Sequence, residues 1–405
     1  MHIAMIAPPW FPIPPPKYGG IEQVVYNLVE AFAEAGHQVT LFAPEGSSTS
    51  AELIPTADVA VGLDMGEAEK VLINEAAGDR AYSIANEIGA DIIHDHSDYV
   101  YGSAVLAPIM RTVHGPMTDI AVGRYQQMSK SGDRFIAISQ RQREIFEQAA
   151  VETAGDASSI AFADVIHNPI DATHTPYYSA DEKEDYVAFV GRCHWEKGPS
   201  HAIEVARDAG VRLKMAMRVS KPERLYFDSV VKPLLEANSD LVEFVGELGG
   251  RERDELYGKA RALIFSSAWE EPFGLTIVEA LAHGTPVAAL RRGSATEIIN
   301  DGVTGRLSGD FAEMARTSRQ VMALDPAVCR SEAVARFDRL VIGHRHLELF
   351  ERVIEERQST LPRIRLFPVA PALAGSIPSA PLKPMAEPTM LRSADISGST
   401  ATGMN

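Results

Sequence analysis

The stretch Ser266-Ser267-Ala268-Trp269-Glu270-Glu271-Pro272-Phe273-Gly274-Leu275-Thr276-Ile277-Val278-Glu279-Ala280-Leu281 decides how this chain is read. It follows Ala262-Leu263-Ile264-Phe265, a short apolar run that suits a strand buried on both faces. Pro272 and Gly274 mark a turn, and Leu275, Val278 and Leu281 then recur at helical spacing. Strand, turn and helix in that order put the start of a helix at the carboxyl end of a strand. A helix beginning near Phe273 turns its unpaired N–H groups and positive dipole end toward whatever lies above the sheet, which suits a pyrophosphate. Glu271 and Glu279 stand eight positions apart around that start. Were the whole interval helical, they would be separated by ~12 Å along the axis, at ~1.5 Å per residue. That span matches a sugar diphosphonucleotide from hexose to ribose. The competing reading makes Glu270 and Glu271 mere complements of the helix dipole and Glu279 part of a solvated face. A glycosidase-like acid/base pair is excluded by the same offset, because such carboxylates sit roughly 5 to 9.5 Å apart across one bond.

Upstream, Val187-Ala188-Phe189-Val190-Gly191-Arg192-Cys193-His194-Trp195-Glu196-Lys197-Gly198 is a strand that ends in Gly-Arg and runs into Glu-Lys-Gly. The two stretches together resemble the signature of the retaining nucleotide-sugar glycosyltransferases of family 4, which have the GT-B fold. The resemblance implies an α/β chain of two doubly wound, Rossmann-like domains facing across a cleft. By position in the Glu-x7-Glu signature it implies that Glu271 contacts the transferred hexose and Glu279 the ribose; the adjacent Glu270 lacks the seven-residue gap. It implies Arg192 and Lys197 as diphosphate ligands, with Phe273, Gly274 and Leu275 forming the helix start that holds the donor. A departing nucleoside diphosphate gains negative charge, which fixed cations stabilise. A third block, Gly284 to Ala289 with Gly293-Ser294-Ala295-Thr296-Glu297-Ile298-Ile299 and Asp301 to Gly305, follows the same family. It is either the far wall of the donor cleft or simply the next strand, turn and helix. Leu213 to Val219 departs from the family in lacking a glycine that relatives often carry.

The amino-terminal half complements this set. Met1 to Ala7 is an apolar strand, and the Pro-rich loop through Lys17-Tyr18-Gly19-Gly20 opens a helix near Ile21, an arrangement in which backbone N–H groups can approach phosphate. No Gly-x-Gly-x-x-Gly occurs there, so it is not a dinucleotide fingerprint. The family resemblance implies donor contacts at Gly19, Gly20 and Glu22. Asp91 to His96 and Arg111 to Pro116 are strands that end in histidine, where open α/β sheets place their ligands. His114 resembles the family's active-site histidine, which contacts the transferred sugar. His94 and His96 share one side of a strand, but with no third ligand nearby they do not make a metal site.

A chain of 405 residues with strands and helices alternating in both halves calls for two domains. The expected boundaries are an acceptor-side domain over 1–170, a linker over 171–185 and a donor-binding domain over 186–343. A terminal helix over 344–358 is expected to cross back to the first domain, and a Pro/Ala/Ser-rich tail over 361–405 to be disordered. Two cysteines make no disulfide framework, which, with no signal peptide or membrane-length apolar span in the sequence, points to a cytoplasmic protein. A formal charge of −17 excludes nucleic acid as a partner. The basic set Arg124, Lys130, Arg134, Arg141 and Arg143 is compatible with weak peripheral membrane contact or with an ordinary solvated helix face. The expected activity is metal-independent, cofactor-free transfer of a hexose, with retained configuration, from a nucleoside diphosphate sugar to a carbohydrate, lipid-linked or small-molecule acceptor. The alternatives are another GT-B enzyme, such as a sugar-nucleotide epimerase, and a non-catalytic nucleotide-sugar-binding subunit.

Overall fold

The computed structural model describes residues 1–17, 19–62 and 65–360; Tyr18 and the expected 361–405 tail lie outside them. Two parallel sheets carry the chain. The first has seven strands, β1 (His2–Ile6), β2 (Gln38–Ala43), β3 (Glu52–Pro55), β4 (Ile92–Asp95), β5 (Ile109–Val113), β6 (Arg134–Ala137) and β7 (Phe162–Val165), in the order β3-β2-β1-β4-β5-β6-β7. The second has six, β8 (Val187–Arg192), β9 (Leu213–Arg218), β10 (Val242–Gly246), β11 (Ala262–Phe265), β12 (Val287–Leu290) and β13 (Gly305–Ser308), in the order β10-β9-β8-β11-β12-β13. In both, the order reverses beside the first strand of the sheet, between β1 and β4 and between β8 and β11. Such a reversal opens a crevice at the carboxyl ends of the strands, where ligands of doubly wound sheets bind. The strands are short and almost wholly apolar because helices cover both faces; β1, β4, β5, β11 and β12 are buried along nearly their whole length.

The helix Arg339–Thr360 begins earlier than the expected 344–358. Asp338 starts it by accepting from the backbone N–H of Leu340 at 3.0 Å. Its Ile342, Leu347, Leu349, Phe350 and Val353 enter one core with Ile3 and Met5 of β1 and with Val24, Leu28 and Phe32 of the helix Gly20–Glu34. The last described helix thus completes the core of the first lobe. The outgoing and returning segments cross side by side: the Ile170 N–H donates to the Phe337 carbonyl at 2.9 Å, and the Arg339 N–H to the Ile170 carbonyl at 2.8 Å. Beneath the first sheet, Arg111 is buried between Asp95 and Asp133, and Tyr82 donates its hydroxyl to Asp95 at 2.7 Å. Among the described residues, no helix is long and apolar enough to cross a membrane. Of the basic set, Arg134 pairs with Glu356, Arg141 with Glu270 and Arg143 with Glu147, so three of its five charges are already matched by carboxylates.

Candidate active site

Two helix starts converge on one cavity of about 290 Å³ between the sheets. One is Gly20, which follows β1. The other is Leu275, which follows β11, and a β-carbon built on Gly20 would stand 3.2 Å from the Leu275 side chain. The expected helix start at Phe273 is therefore displaced by two residues. Gly274 adopts φ 84° as the residue before the helix, a left-handed conformation that glycine takes without strain and that sharpens the turn out of β11. Because only Leu275–Ala282 is helical, the 12 Å axial separation of Glu271 and Glu279 does not apply; a bent loop, not a helix turn, carries Glu271.

Of the residues expected to bind the donor or take part in catalysis, all but Glu22 line this cavity: His114, Arg192, Lys197, Glu271, Glu279, Gly19, Gly20, Phe273, Gly274 and Leu275. Glu22 stands apart for a geometric reason. Gly20, Gln23 and Val24 share the helix face turned to the cavity, whereas position 22 is rotated off it. The Glu22 side chain is instead buried, and burial raises its carboxyl to about 7. The segment after β12 supports the Glu271 loop from behind. The Ser294 N–H donates to the Glu271 carbonyl at 3.1 Å, and a β-carbon on Gly293 would lie 2.6 Å from the Glu271 nitrogen. The Gly284–Gly305 block does not line the cavity, so it buttresses the site from outside the cleft wall.

Charge in the second lobe is closely paired. Lys197 Nζ lies 2.7 and 2.6 Å from the two oxygens of Glu271, which also accepts from Trp269 Nε1 at 2.8 Å and from Ser267 Oγ at 3.2 Å. Four donor contacts hold a carboxylate that is only 7% exposed, so its orientation is set before any ligand arrives. The sequence reading put Lys197 and Glu271 on different parts of a donor; the structure makes them direct partners. Arg192 is steadied by Glu223 at 3.4 Å, which in turn accepts from the Ser220 N–H and hydroxyl at 3.0 and 2.7 Å. Glu279 accepts from the Tyr257 hydroxyl at 2.8 Å, and its proximity is the main reason that the charge of Arg253 is stabilised.

Lys17, Asn168, Arg218, Glu247 and Arg253 also line the cavity and were not identified from the sequence. Arg218 had a signal: it ends β9 in register with Arg192 at the end of β8, so two arginines leave neighbouring strands at one level. Arg253 sits in the helix Gly250–Lys259 with nothing in its local pattern to separate it from an exposed arginine. Opposite the charged wall stands His114, where β5 ends. Its Nε2 is 2.8 Å from His96 Nδ1, and burial, with His346 nearby, lowers its imidazole to about 3. Among the described residues no group of three or more His, Cys, Asp or Glu side chains is placed to hold a metal ion. Cys193 and Cys329 are separate, free and buried, and burial raises both thiols to about 12.

The lobes also meet beside the site. The Gln140 and Arg141 N–H groups, at the start of the helix Gln140–Ala154, donate to the two oxygens of Glu297 at 2.8 Å each, and Arg141 Nε meets Glu270 at 2.9 Å. Burial opposes charge on Glu297, but these N–H groups and His167 outweigh it and lower its carboxyl. A carboxylate of one lobe therefore caps a helix of the other.

Comparison with known proteins bears on the family and the fold. The family model for glycosyl transferases group 1 matches residues 173–327, and that for glycosyltransferase family 4 matches residues 18–174. D-inositol 3-phosphate glycosyltransferase of Mycolicibacterium smegmatis is 26% identical over 394 residues, covering 85% of this chain and 89% of that protein. The crystal structure of AviGT4, a glycosyltransferase involved in avilamycin A biosynthesis, superimposes with a TM-score of 0.64 at 27% identity, covering 88% of this chain and 98% of the other. Anabaena HepE in complex with UDP-glucose has the same fold, with a TM-score of 0.63 at 18% identity over 89% of this chain and 100% of its own.

Proposed function

The chain belongs to the group 1 glycosyltransferases with a family 4 amino-terminal lobe and the two-domain GT-B fold, and on that premise we propose that it transfers a hexose, with retained configuration, from a nucleoside diphosphate sugar to an acceptor hydroxyl. The observation that carries this reading is the pairing of Lys197 with Glu271 at one cavity bordered by two helix starts. A diphosphate placed there meets N–H groups of both helices together with Arg192 and Lys197, while Glu271 is left to accept from hexose hydroxyls and Glu279 from ribose hydroxyls. UDP-glucose bound to the similar fold of HepE supports a donor of this class.

In the proposed reaction the bond from the anomeric carbon to the phosphate oxygen breaks as the bond to the acceptor oxygen forms on the same face. The acceptor proton passes to the departing phosphate, so no enzyme nucleophile is used. Negative charge developing on the diphosphate is stabilised by cations and helix ends already in position. Positive side chains thereby do what a divalent ion would otherwise do, and transfer proceeds without added metal. The acceptor enters from the first lobe, on the side of His114.

Turnover of uridine, guanosine and adenosine diphosphate hexoses in the presence of a chelator tests the proposal. One of the three is consumed with retention and the matching diphosphate raises the melting temperature, by the equivalent of ~2.7 kcal/mol at a hundred times its dissociation constant. Inverted product, or activity that vanishes with the chelator and returns with a divalent ion, refutes it.

A further inference from the structure

Four imidazoles form a column through the first lobe. His346 comes from the helix Arg339–Thr360, His94 and His96 from the end of β4, and His114 from the end of β5. Ring centroids are 5.3 Å apart between His346 and His94, 4.2 Å between His94 and His96, and 5.1 Å between His96 and His114. Of the four, only His114 lines the cavity. At the contact of 2.8 Å between His96 Nδ1 and His114 Nε2, one ring must donate and the other accept. Burial lowers both imidazoles far below their ordinary range, so near neutrality each carries a single proton.

Which ring donates follows from what lies behind His96. Its Nε2 is buried and has no hydrogen-bond partner among the described residues. Buried N–H groups without an acceptor are rarer and more costly than buried lone pairs without a donor. His96 is therefore better off with a bare Nε2 and its proton on Nδ1, which makes it the donor to His114. His114 must then accept at Nε2 and carry its own proton on Nδ1, the nitrogen left for the cavity.

From this geometry we propose that His96 is a positioning residue: it holds His114 in the tautomer that presents an Nδ1–H to a hydroxyl oxygen of the transferred sugar. A side chain outside the cavity so decides whether the cavity wall donates or accepts at that point. The role rests on the reading that His114 touches the sugar, and the test separates the two.

The full chain, labelled with nitrogen-15 in histidine, is examined by long-range proton–nitrogen correlation near pH 7.5, with the His114 signals identified by their loss in His114→Gln. The expected spectrum shows His114 protonated at Nδ1 and bare at Nε2. A His114 protonated at Nε2 overturns the proposal, and this reading needs no His96 variant to fold. His96→Leu, which removes the donor, mixes the two tautomers and lowers kcat at least ~10-fold while donor KM changes little, a fraction of the ~10⁴-fold loss that a wrong imidazole tautomer causes in a serine protease. His96→Gln, whose amide N–H can donate in its place, restores the tautomer and most of the lost rate. Unchanged tautomer and kcat in folded His96→Leu overturn the proposal. Full transfer by His114→Gln instead removes the sugar contact, and with it the role given to His96, while the wild-type resonance still reports the tautomer by itself.

Discussion

At the carboxyl ends of β8 and β9 the second lobe sets Arg192 and Arg218, whereas at the ends of β4 and β5 the first sets His96 and His114. Both sheets share one strand order over six strands, the first adding β7 at its edge, and open their crevice at the same topological place. The difference lies in where each lobe keeps its charge. The second lobe carries charge at the cavity, in Lys197, Glu271, Glu279 and Arg253, each braced by a neighbour. The first lobe keeps its ion cluster under the sheet, as Arg111 between Asp95 and Asp133, and offers the cavity neutral imidazole, the amides of Gln23 and Asn168 and backbone, with Lys17 as its single charged lining residue among the described residues. A shared scaffold thus supports two kinds of wall, one built mainly of paired charge and one mainly of uncharged hydrogen-bonding groups; under the proposed function the first meets the anionic donor and the second the neutral sugar.

Four measurements strain that contrast, in descending order of effect. Arg111→Met leaves two buried carboxylates without their partner, so chemical denaturation should show a loss of ~3–5 kcal/mol; an unchanged midpoint would mean that the buried charge does not hold the first lobe together. Lys197→Ala and Glu271→Ala should each lower kcat/KM by ~10²–10³, the scale of losing one preorganised charge-stabilising group, in protein that circular dichroism shows to be folded. Full activity in both would falsify the division between charged and neutral walls.

The third measurement is stability against pH. His346, lowered to about 4 by burial, stays neutral in the fold while its unfolded counterpart titrates at the ordinary 6.5. Its contribution is complete above pH 6.5 and is lost as pH falls through that value toward 4. At pH 5 this amounts to ~2 kcal/mol, and His346→Leu should flatten the slope between pH 7 and pH 5 relative to wild type. Smallest is Glu297→Gln, which weakens a cap between the lobes and should cost ~1 kcal/mol in scanning calorimetry, with little change in kcat.

The same contrast explains what could be read from the residues alone. Glu271, Lys197 and Arg192 stand in contiguous segments that carry the family's signatures, so the resemblance located them, while local periodicity gave only the strand, turn and helix around them. Placement of Glu22 depended on a helix face, and the start of the helix at Leu275 on the backbone of Gly274, neither of which a residue spacing expresses. Partnership was hidden as well: Lys197 and Glu271 lie 74 positions apart. The histidine column draws on residues as far apart as His94 and His346, and Arg253 reaches Glu279 only because two helices pack together. Such groupings come from topology, which sequence distance conceals.

Because Ile342 to Val353 close the core that begins at Ile3, the first lobe stays unfinished during synthesis until nearly all of the described chain has left the ribosome. Its sheet, though contiguous in sequence, waits with one hydrophobic flank uncovered, while the second lobe, which borrows no such late helix for its sheet, can already have settled. Translation pace and chaperone capture should therefore weigh more heavily on the half that is made first.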